Sequence, residues 1–236
     1  MKLAKRGHYH MTSQSQLEIL ETAINACTEA GQKQVGWKLG FGSPAALKAL
    51  NTTKPLIGGL FDSGELVSGT TIDVGAMTKP CLEAEIAAHI ASDISVNAGA
   101  DQIIDCICSL VPAIELVDFH TTPSDAETIL SDNIFQRGWV ILPSTKNGWS
   151  GGATGLEILI RQGEETWDAA SDIEAKIGRL IDGLIECNRV ANALGRGILK
   201  GDVVLLGSVI PPHPSNGKKF EVTIPGIGEV NLNFQN

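Results

Sequence analysis

Three carboxylates in this chain stand where a folded protein puts none without a reason. Glu83 and Glu85 lie inside an apolar run at residues 79–90, and Glu115 inside another at residues 111–117. Each run is bounded by a proline, the pattern of a buried strand. In a strand, residues two apart share a face, so Glu83 and Glu85 project side by side while Leu82, Ala84 and Ile86 face the other way. Adjacent carboxylates repel, and burying even one without a partner costs several kcal/mol. Such groups must be protonated, paired with cations or given a metal, and the nearby sequence offers few cations. With Glu115 as a third oxygen donor, and no cysteine or histidine in the pattern, the set suits a hard divalent ion, Mg²⁺ or Mn²⁺. Mg²⁺ keeps several waters, and those positions could pass to a chelating substrate. A second reading stays open on the residues alone: Glu83 and Glu85 at a solvated sheet edge, and Glu115 paired with one lysine.

Lys38 is the other residue placed for chemistry. It sits among apolar neighbours in Gly36-Trp37-Lys38-Leu39-Gly40. Buried, its ammonium would be disfavoured and suited to proton transfer; with its head in water it would be an ordinary lysine. His8 and His10 lack a third ligand and read as part of a flexible tail over residues 1–11. His89 falls in an apolar strand and reads as a core histidine, while His213 lies in a proline-rich loop. Asp118 has two readings, a support to the metal site or a surface aspartate.

The elements that must carry these groups follow from periodicity and punctuation. Leu17, Leu20, Ile24 and Cys27 recur at helical spacing after Ser13, and Gly31 ends the run. Ser43-Pro44 opens a short helix, with serine as cap and proline at the first position. Residues 101–110 read as a short amphipathic helix ahead of the Glu115 strand. Asp132-Asn133 is a turn signal before a strand at residues 138–142. A hairpin turns at Gln162-Gly163-Glu164, and Ser171-Asp172-Ile173-Glu174 reads as a capping box opening one long helix closed by Gly195. Strands follow at residues 202–207, 218–224 and 229–234. Strands predominate without strict βαβ alternation, so the fold class is α+β.

Composition narrows the partners. Residues 1–236 can bury one substantial core, and no linker-like stretch divides them, so a single domain is expected. With 43% hydrophobic and 19% charged residues the chain is an ordinary folded one, not a disordered one. A net charge of −9, with no basic run beyond residues 2–6, argues against nucleic acid. The 5 cysteines, at 27, 81, 106, 108 and 187, lack zinc spacing and read as reduced thiols in a cytoplasm. No run is long and apolar enough for a signal peptide or a membrane span.

Several of these segments together resemble the 2-keto-4-pentenoate hydratase family. That family also contains the 2-oxo-3-hexenedioate (oxalocrotonate) decarboxylases and belongs to the fumarylacetoacetate hydrolase superfamily. The resemblance rests on residues 80–86, residues 112–118, Gly36-Trp37-Lys38-Leu39-Gly40, residues 55–61, Ser131-Asp132-Asn133 and residues 201–208, in the family's order at similar spacing. It runs from about Gly36 to Phe234. It implies a strongly curved mixed β-sheet, a β-roll, with flanking helices. It implies that Glu83, Glu85 and Glu115 hold the metal and that Lys38 is an acid/base residue. Asp132 becomes a candidate catalytic residue, and Gly207 and Ser208 candidates for substrate contact. The implied substrate is a small 2-keto or dienol acid from aromatic meta-cleavage, and relatives commonly form homo-oligomers.

The chain also departs from the family pattern. Leu56 stands where hydratases commonly have an aspartate, a trait closer to the decarboxylase branch. His120 replaces a common arginine, and a histidine-proline-leucine-asparagine motif near residue 171 is absent. Pro211-Pro212, by contrast, is closer to hydratases. Hydration is therefore the first expectation, decarboxylation the second, and a non-catalytic relative that binds metal and small acids the third.

Overall fold

The computed structural model describes residues 13–144, 153 and 155–235, so the tail expected over residues 1–11 lies outside the described residues. Helix α1 (Gln14–Glu29) opens at Ser13. Its hydroxyl accepts the Gln16 N–H and the Gln16 side chain accepts the Ser13 N–H, a reciprocal cap. Then come β1 (Gln34–Gly40), α2 (Pro44–Ala49), β2 (Leu56–Phe61) and β3 (Thr71–Asp73). The two longest strands, β4 (Pro80–Ile90) and β5 (Ile107–Asp118), are joined through α3 (Ala100–Asp105). After them run α4 (Ala126–Ser131), β6 (Gln136–Ile141), β7 (Ile158–Gln162) and β8 (Glu165–Ala170). The rest is α5 (Ile173–Ile177), α6 (Leu180–Ala193), β9 (Val203–Ser208), β10 (His213–Pro214), β11 (Phe220–Ile224) and β12 (Gly228–Gln235).

The main sheet has the order β2-β1-β9-β4-β5-β6, with β10 paired to the start of β4. Among its described strand pairs only β1 and β9 are parallel. A second sheet, β3-β12-β11-β7-β8, lies across β5. The main sheet curls until its ends meet. Just past β2, Glu65 bridges Trp139 of β6, and the Trp139 indole N–H donates to the Phe61 carbonyl at 3.1 Å. Inside the curl, Leu60, Ala87, Val111, Ala113, Trp139, Val203 and Leu205 form an apolar plug. The outward-facing residues of the same strands, Leu82, Ala84, Ile86 and Ile114 among them, join the larger core beneath the helices and the second sheet. The fold is α+β, as expected. No helix among the described residues is long and apolar enough to cross a membrane.

Two expected elements differ. The helix expected over residues 101–110 ends at Asp105, and residues 107–110 already belong to β5. Ile107 pairs with Ile90 and Ser109 with His89, so cross-strand pairing overrides a local pattern that fitted either state. The long helix expected after residue 171 is two helices. Asp172, not Ser171, caps the first by accepting the Ala175 N–H, and Gly178, at φ +84°, breaks the run before α6 restarts at Leu180. Glycine takes the left-handed conformation without steric cost, so a helix ends there readily.

Candidate active site

Strand pairing assembles the three carboxylates. Glu83 of β4 lies directly opposite Glu115 of β5, and Glu85, two residues along, shares their face inside the curl. One oxygen from each can be chosen so that all lie within 4.8 Å of one another. Glu85 and Glu115 are buried, and Glu83 is partly exposed to a cleft. The Glu85 Oε2 accepts the Gly207 N–H at 3.1 Å, but its Oε1 is buried with no hydrogen-bond partner. Glycine suits that bond: Gly207 sits at φ +106°, outside the range of most side-chain-bearing residues.

The curl brings in the cation. Lys38 of β1 is three strands from β5, about 14 Å in a flat sheet and beyond a lysine's reach. In the closed sheet its Nζ donates to Glu115 Oε1, and both side chains are 1% exposed. Gln136 donates to the same oxygen at 3.2 Å, and the Ile134 carbonyl accepts from Lys38 Nζ at 3.3 Å. Asn133, Ile134 and Phe135 have φ of +47°, +57° and +61°. For side-chain-bearing residues this left-handed geometry costs about 1–2 kcal/mol each, and for β-branched isoleucine it is a true outlier. Asn133 clamps the turn, accepting the Gly59 N–H and donating to the Gly59 carbonyl, each at 2.8 Å.

Burial pushes Glu83 up from an ordinary 4.5 to about 8, with the Glu115 charge adding to the effect and Lys38 opposing it. Glu85 is pushed well above 4.5 by burial, Glu115 and Glu83, against the smaller opposing effects of Lys38 and the Gly207 N–H. Three carboxylates against one ammonium leave two negative charges when all four groups are ionised. An all-oxygen donor set, a spacing near twice the 2.0–2.6 Å of Mg²⁺–O or Ca²⁺–O bonds, and the orphaned Glu85 oxygen fit a divalent cation. The solvated-edge reading of Glu83 and Glu85 does not hold, but the lysine partner it gave to Glu115 is there, as Lys38.

A cleft of about 840 Å³ leads to Glu83. Its walls are mainly apolar, with Leu39, Phe41, Ala46, Leu180, Val209 and Ile210 among them. One wall is α2, which buries none of its residues fully, and another is the break between α5 and α6. Clefts of roughly this size bury small organic ligands.

No family model matches the sequence. A 2-keto-4-pentenoate hydratase of Burkholderia vietnamiensis is 36% identical over 209 residues, covering 86% of this chain and 79% of the relative. The chain belongs to the 2-keto-4-pentenoate hydratase family. Its members are lyases, and among its relatives is a 4-oxalocrotonate decarboxylase of a Pseudomonas species, 22% identical over 206 residues, covering 86% of this chain and 78% of the relative. In fold it is similar to the 4-oxalocrotonate decarboxylase of Pseudomonas putida G7 solved with magnesium and adipate. The TM-score is 0.82 at 18% identity, covering 93% of this chain and 85% of that one.

The motifs that carried the family resemblance occupy several different places. Lys38, Glu83, Glu85 and Glu115 come together. Gly207 and Ser208 line the cleft, but the Gly207 N–H is committed to Glu85 and the Ser208 hydroxyl donates to the Ile210 carbonyl at 2.7 Å. Asp132 is elsewhere, a third exposed and paired with Arg137 at 2.8 Å, with His120 at 3.5 Å. The cation missing at position 120 thus has a neighbour in Arg137, whose guanidinium lies 3.2 Å from the His120 ring. Asp118 is buried and accepts the Thr78 and Lys79 N–H groups, fastening the entry to β4. His89 is half-buried rather than in the core, and its Nε2 bonds the Leu142 carbonyl. Leu56 is on the Lys38 face, paired with Gly40 one step from Lys38–Gly58. Sequence reasoning missed Ile134 and Gln136, whose only signal was their position just after Asp132-Asn133.

Proposed function

We propose that this protein is a divalent-metal-dependent hydratase. It adds water to a 2-hydroxy-2,4-dienoate, the enol form of a 2-keto-4-pentenoate-type acid, and gives a 4-hydroxy-2-oxo acid in the meta-cleavage breakdown of aromatic compounds. The observation that carries this reading is the partnerless Glu85 oxygen, held in a cluster of three carboxylates with one lysine beside an apolar cleft. Glu83, Glu85 and Glu115 would hold the ion, Mg²⁺ before Mn²⁺. Bound there, it supplies positive charge for the substrate's carboxylate and for the 2-oxygen as negative charge develops on it. Two of the three Lys38 N–H groups are taken by Glu115 and Ile134. The third can be given to substrate carbon while the enol O–H proton is lost, a proton that restores the ammonium, in the tautomerisation to the conjugated ketone. Water then adds at C4 with a proton at C3. The cleft walls hold the hydrocarbon end and exclude bulk water from the charged cluster.

Decarboxylation of 2-oxo-3-hexenedioate is the second reading. The observation that favours it is Leu56, an apolar residue on the Lys38 face where an aspartate could otherwise serve as the lysine's partner. Proton NMR in D₂O with fresh 2-hydroxypenta-2,4-dienoate and Mg²⁺, against a metal-free control, separates the two. Metal-dependent 4-hydroxy-2-oxopentanoate establishes the hydratase. Ketonisation and deuterium exchange without hydration, joined by CO₂ release from the hexenedioate, would replace it with the decarboxylase. Glu83→Gln should abolish either activity while leaving the fold intact, and full activity in that variant would sink both readings.

A further inference from the structure

We propose that the left-handed turn at Asn133, Ile134 and Phe135 is a positioning device for Lys38. The inference rests on the reading of Lys38 as the proton-transfer group. Three independent features of the chain converge on this turn.

The first is the clamp. Both amide atoms of the Asn133 side chain are spent on the two backbone groups of Gly59, at 2.8 Å each. Gly59 is next to Gly58, the cross-strand partner of Lys38, so the clamp ties the turn to the backbone opposite the lysine. The second is the socket. A Cβ on Gly40 would lie 2.7 Å from Ile134 Cγ2, and one on Gly58 would lie 2.8 Å from Asn133 Oδ1, 3.2 Å from Lys38 Cγ and 3.3 Å from Ile134 Cδ1. The two glycines that flank the lysine in the sheet are thus the space into which Asn133 and Ile134 fit. The third is the output. The turn directs the Ile134 carbonyl at Lys38 Nζ and starts the strand whose Gln136 donates to Glu115 Oε1. One strained turn therefore places one acceptor on the lysine and one donor on its carboxylate partner.

A left-handed run of three side-chain-bearing residues persists only where surrounding structure over-determines it, and such strain clusters at functional sites. Here the over-determination is on the page: an amide clamp on one side and a glycine socket on the other. An ammonium with two of its three protons fixed cannot rotate about its terminal bond, so its third proton points one way.

The test compares Asn133→Ala, Gly40→Ala and the double variant Gly40→Ala/Ile134→Ala, in the full chain with Mg²⁺. Asn133→Ala should lower kcat about 10- to 100-fold and keep KM within about threefold. Its thermal stabilisation by Mg²⁺ should match wild type. Gly40→Ala should behave alike, and the double variant should recover at least about tenfold of its kcat, because removing the Ile134 side-chain methyls vacates the space the new methyl needs. A metal-free readout runs beside these: the Lys38 ¹⁵Nζ–¹H signal, assigned by its loss in Lys38→Gln, should move or broaden in Asn133→Ala. Wild-type kcat and Lys38 signal in a folded Asn133→Ala would overturn the proposal. So would loss of Mg²⁺ stabilisation in step with activity, or a double variant no better than Gly40→Ala. If the wild type turns over no dienoate or hexenedioate, the functional reading fails, and the Lys38 signal still decides the positioning claim on its own.

Discussion

Replacing Glu85 by glutamine should make the metal-free protein more stable and the metal-dependent enzyme inactive, and the two effects should separate with pH. Glu83 titrates near 8 in the fold against an ordinary 4.5, and Glu85 is also pushed well above that value. A carboxyl whose folded pKa is raised binds more protons folded than unfolded, so stability falls as pH rises from about 4.5 towards 8. For Glu83 alone the full cost at high pH is at most about 5 kcal/mol, and its partial exposure to the cleft reduces it. Glutamine keeps the acceptor for the Gly207 N–H, removes the buried charge, and relieves its repulsion of Glu83 and Glu115. The gain at pH 8.5 is read as a rise in Tm, about 2–4 °C per kcal/mol for a chain of this size.

The assay is thermal unfolding of wild type and Glu85→Gln, each with EDTA or with Mg²⁺, at pH 5 and pH 8.5. With EDTA the variant should unfold several degrees above wild type at pH 8.5 and within a degree or two of it at pH 5, where Glu85 already carries a proton. With Mg²⁺ the wild type should recover the difference at pH 8.5 and the variant should not respond. A variant less stable than wild type at pH 8.5, or more stable by the same amount at both pH values, would refute the account of repelling buried carboxylates.

Other expectations follow from the same geometry. In wild type, Mg²⁺ at about 100 times its Kd should add about 2.7 kcal/mol at pH 8.5, read as a Tm rise over EDTA, and distinctly less at pH 5, where protons compete for the glutamates. Lys38→Met removes from Glu115 the one buried cation among the described residues and should cost about 3–5 kcal/mol in urea unfolding. Gly36→Ala puts a methyl 2.0 Å from the Val203 carbonyl oxygen, so it should push β1 off β9 and cost at least about 3 kcal/mol, checked by the urea midpoint. Ala46→Trp, on the cleft wall but not in the core, should raise KM about tenfold or more with Tm within about 2 °C of wild type.

The site was legible where strand periodicity applied. Alternation placed Glu83 and Glu85 on one face, and the β4–β5 register set Glu115 opposite Glu83. What could not be read was the partner. The stretch around Glu83 offers few cations because the cation comes from β1, two strands beyond β4, and reaches Glu115 only through the curl. Helical signals failed where a single residue decided the outcome. Gly178 divides one amphipathic pattern into α5 and α6, and pairing with β4 draws Ile107 into a strand. Asp132-Asn133 read as a turn, and it is one, but the working atoms are the Asn133 amide and the Ile134 carbonyl. A backbone carbonyl leaves no mark in the sequence.

Closure of the sheet explains why such an uncomfortable cluster survives. An open sheet would leave Glu83 and Glu85 in water, where their charges cost little and a metal would have to compete with solvent. Joining Glu65 and the Phe61 carbonyl to Trp139 shuts the inner face, and the plug of Leu60, Ala87, Ala113 and Leu205 dries its floor. Within that enclosure the carboxylates cannot relax by hydration, so they gain more from a divalent ion than exposed ones would. The curl that creates the cost also delivers Lys38 to Glu115, which offsets one of the three charges the ionised cluster carries. Two further cations from the chain would neutralise the ionised cluster and stabilise the fold, but they would remove the excess charge that holds a metal. The instability of the metal-free site and its affinity for the ion are two consequences of one geometry, and a substitution that cures the first should abolish the second.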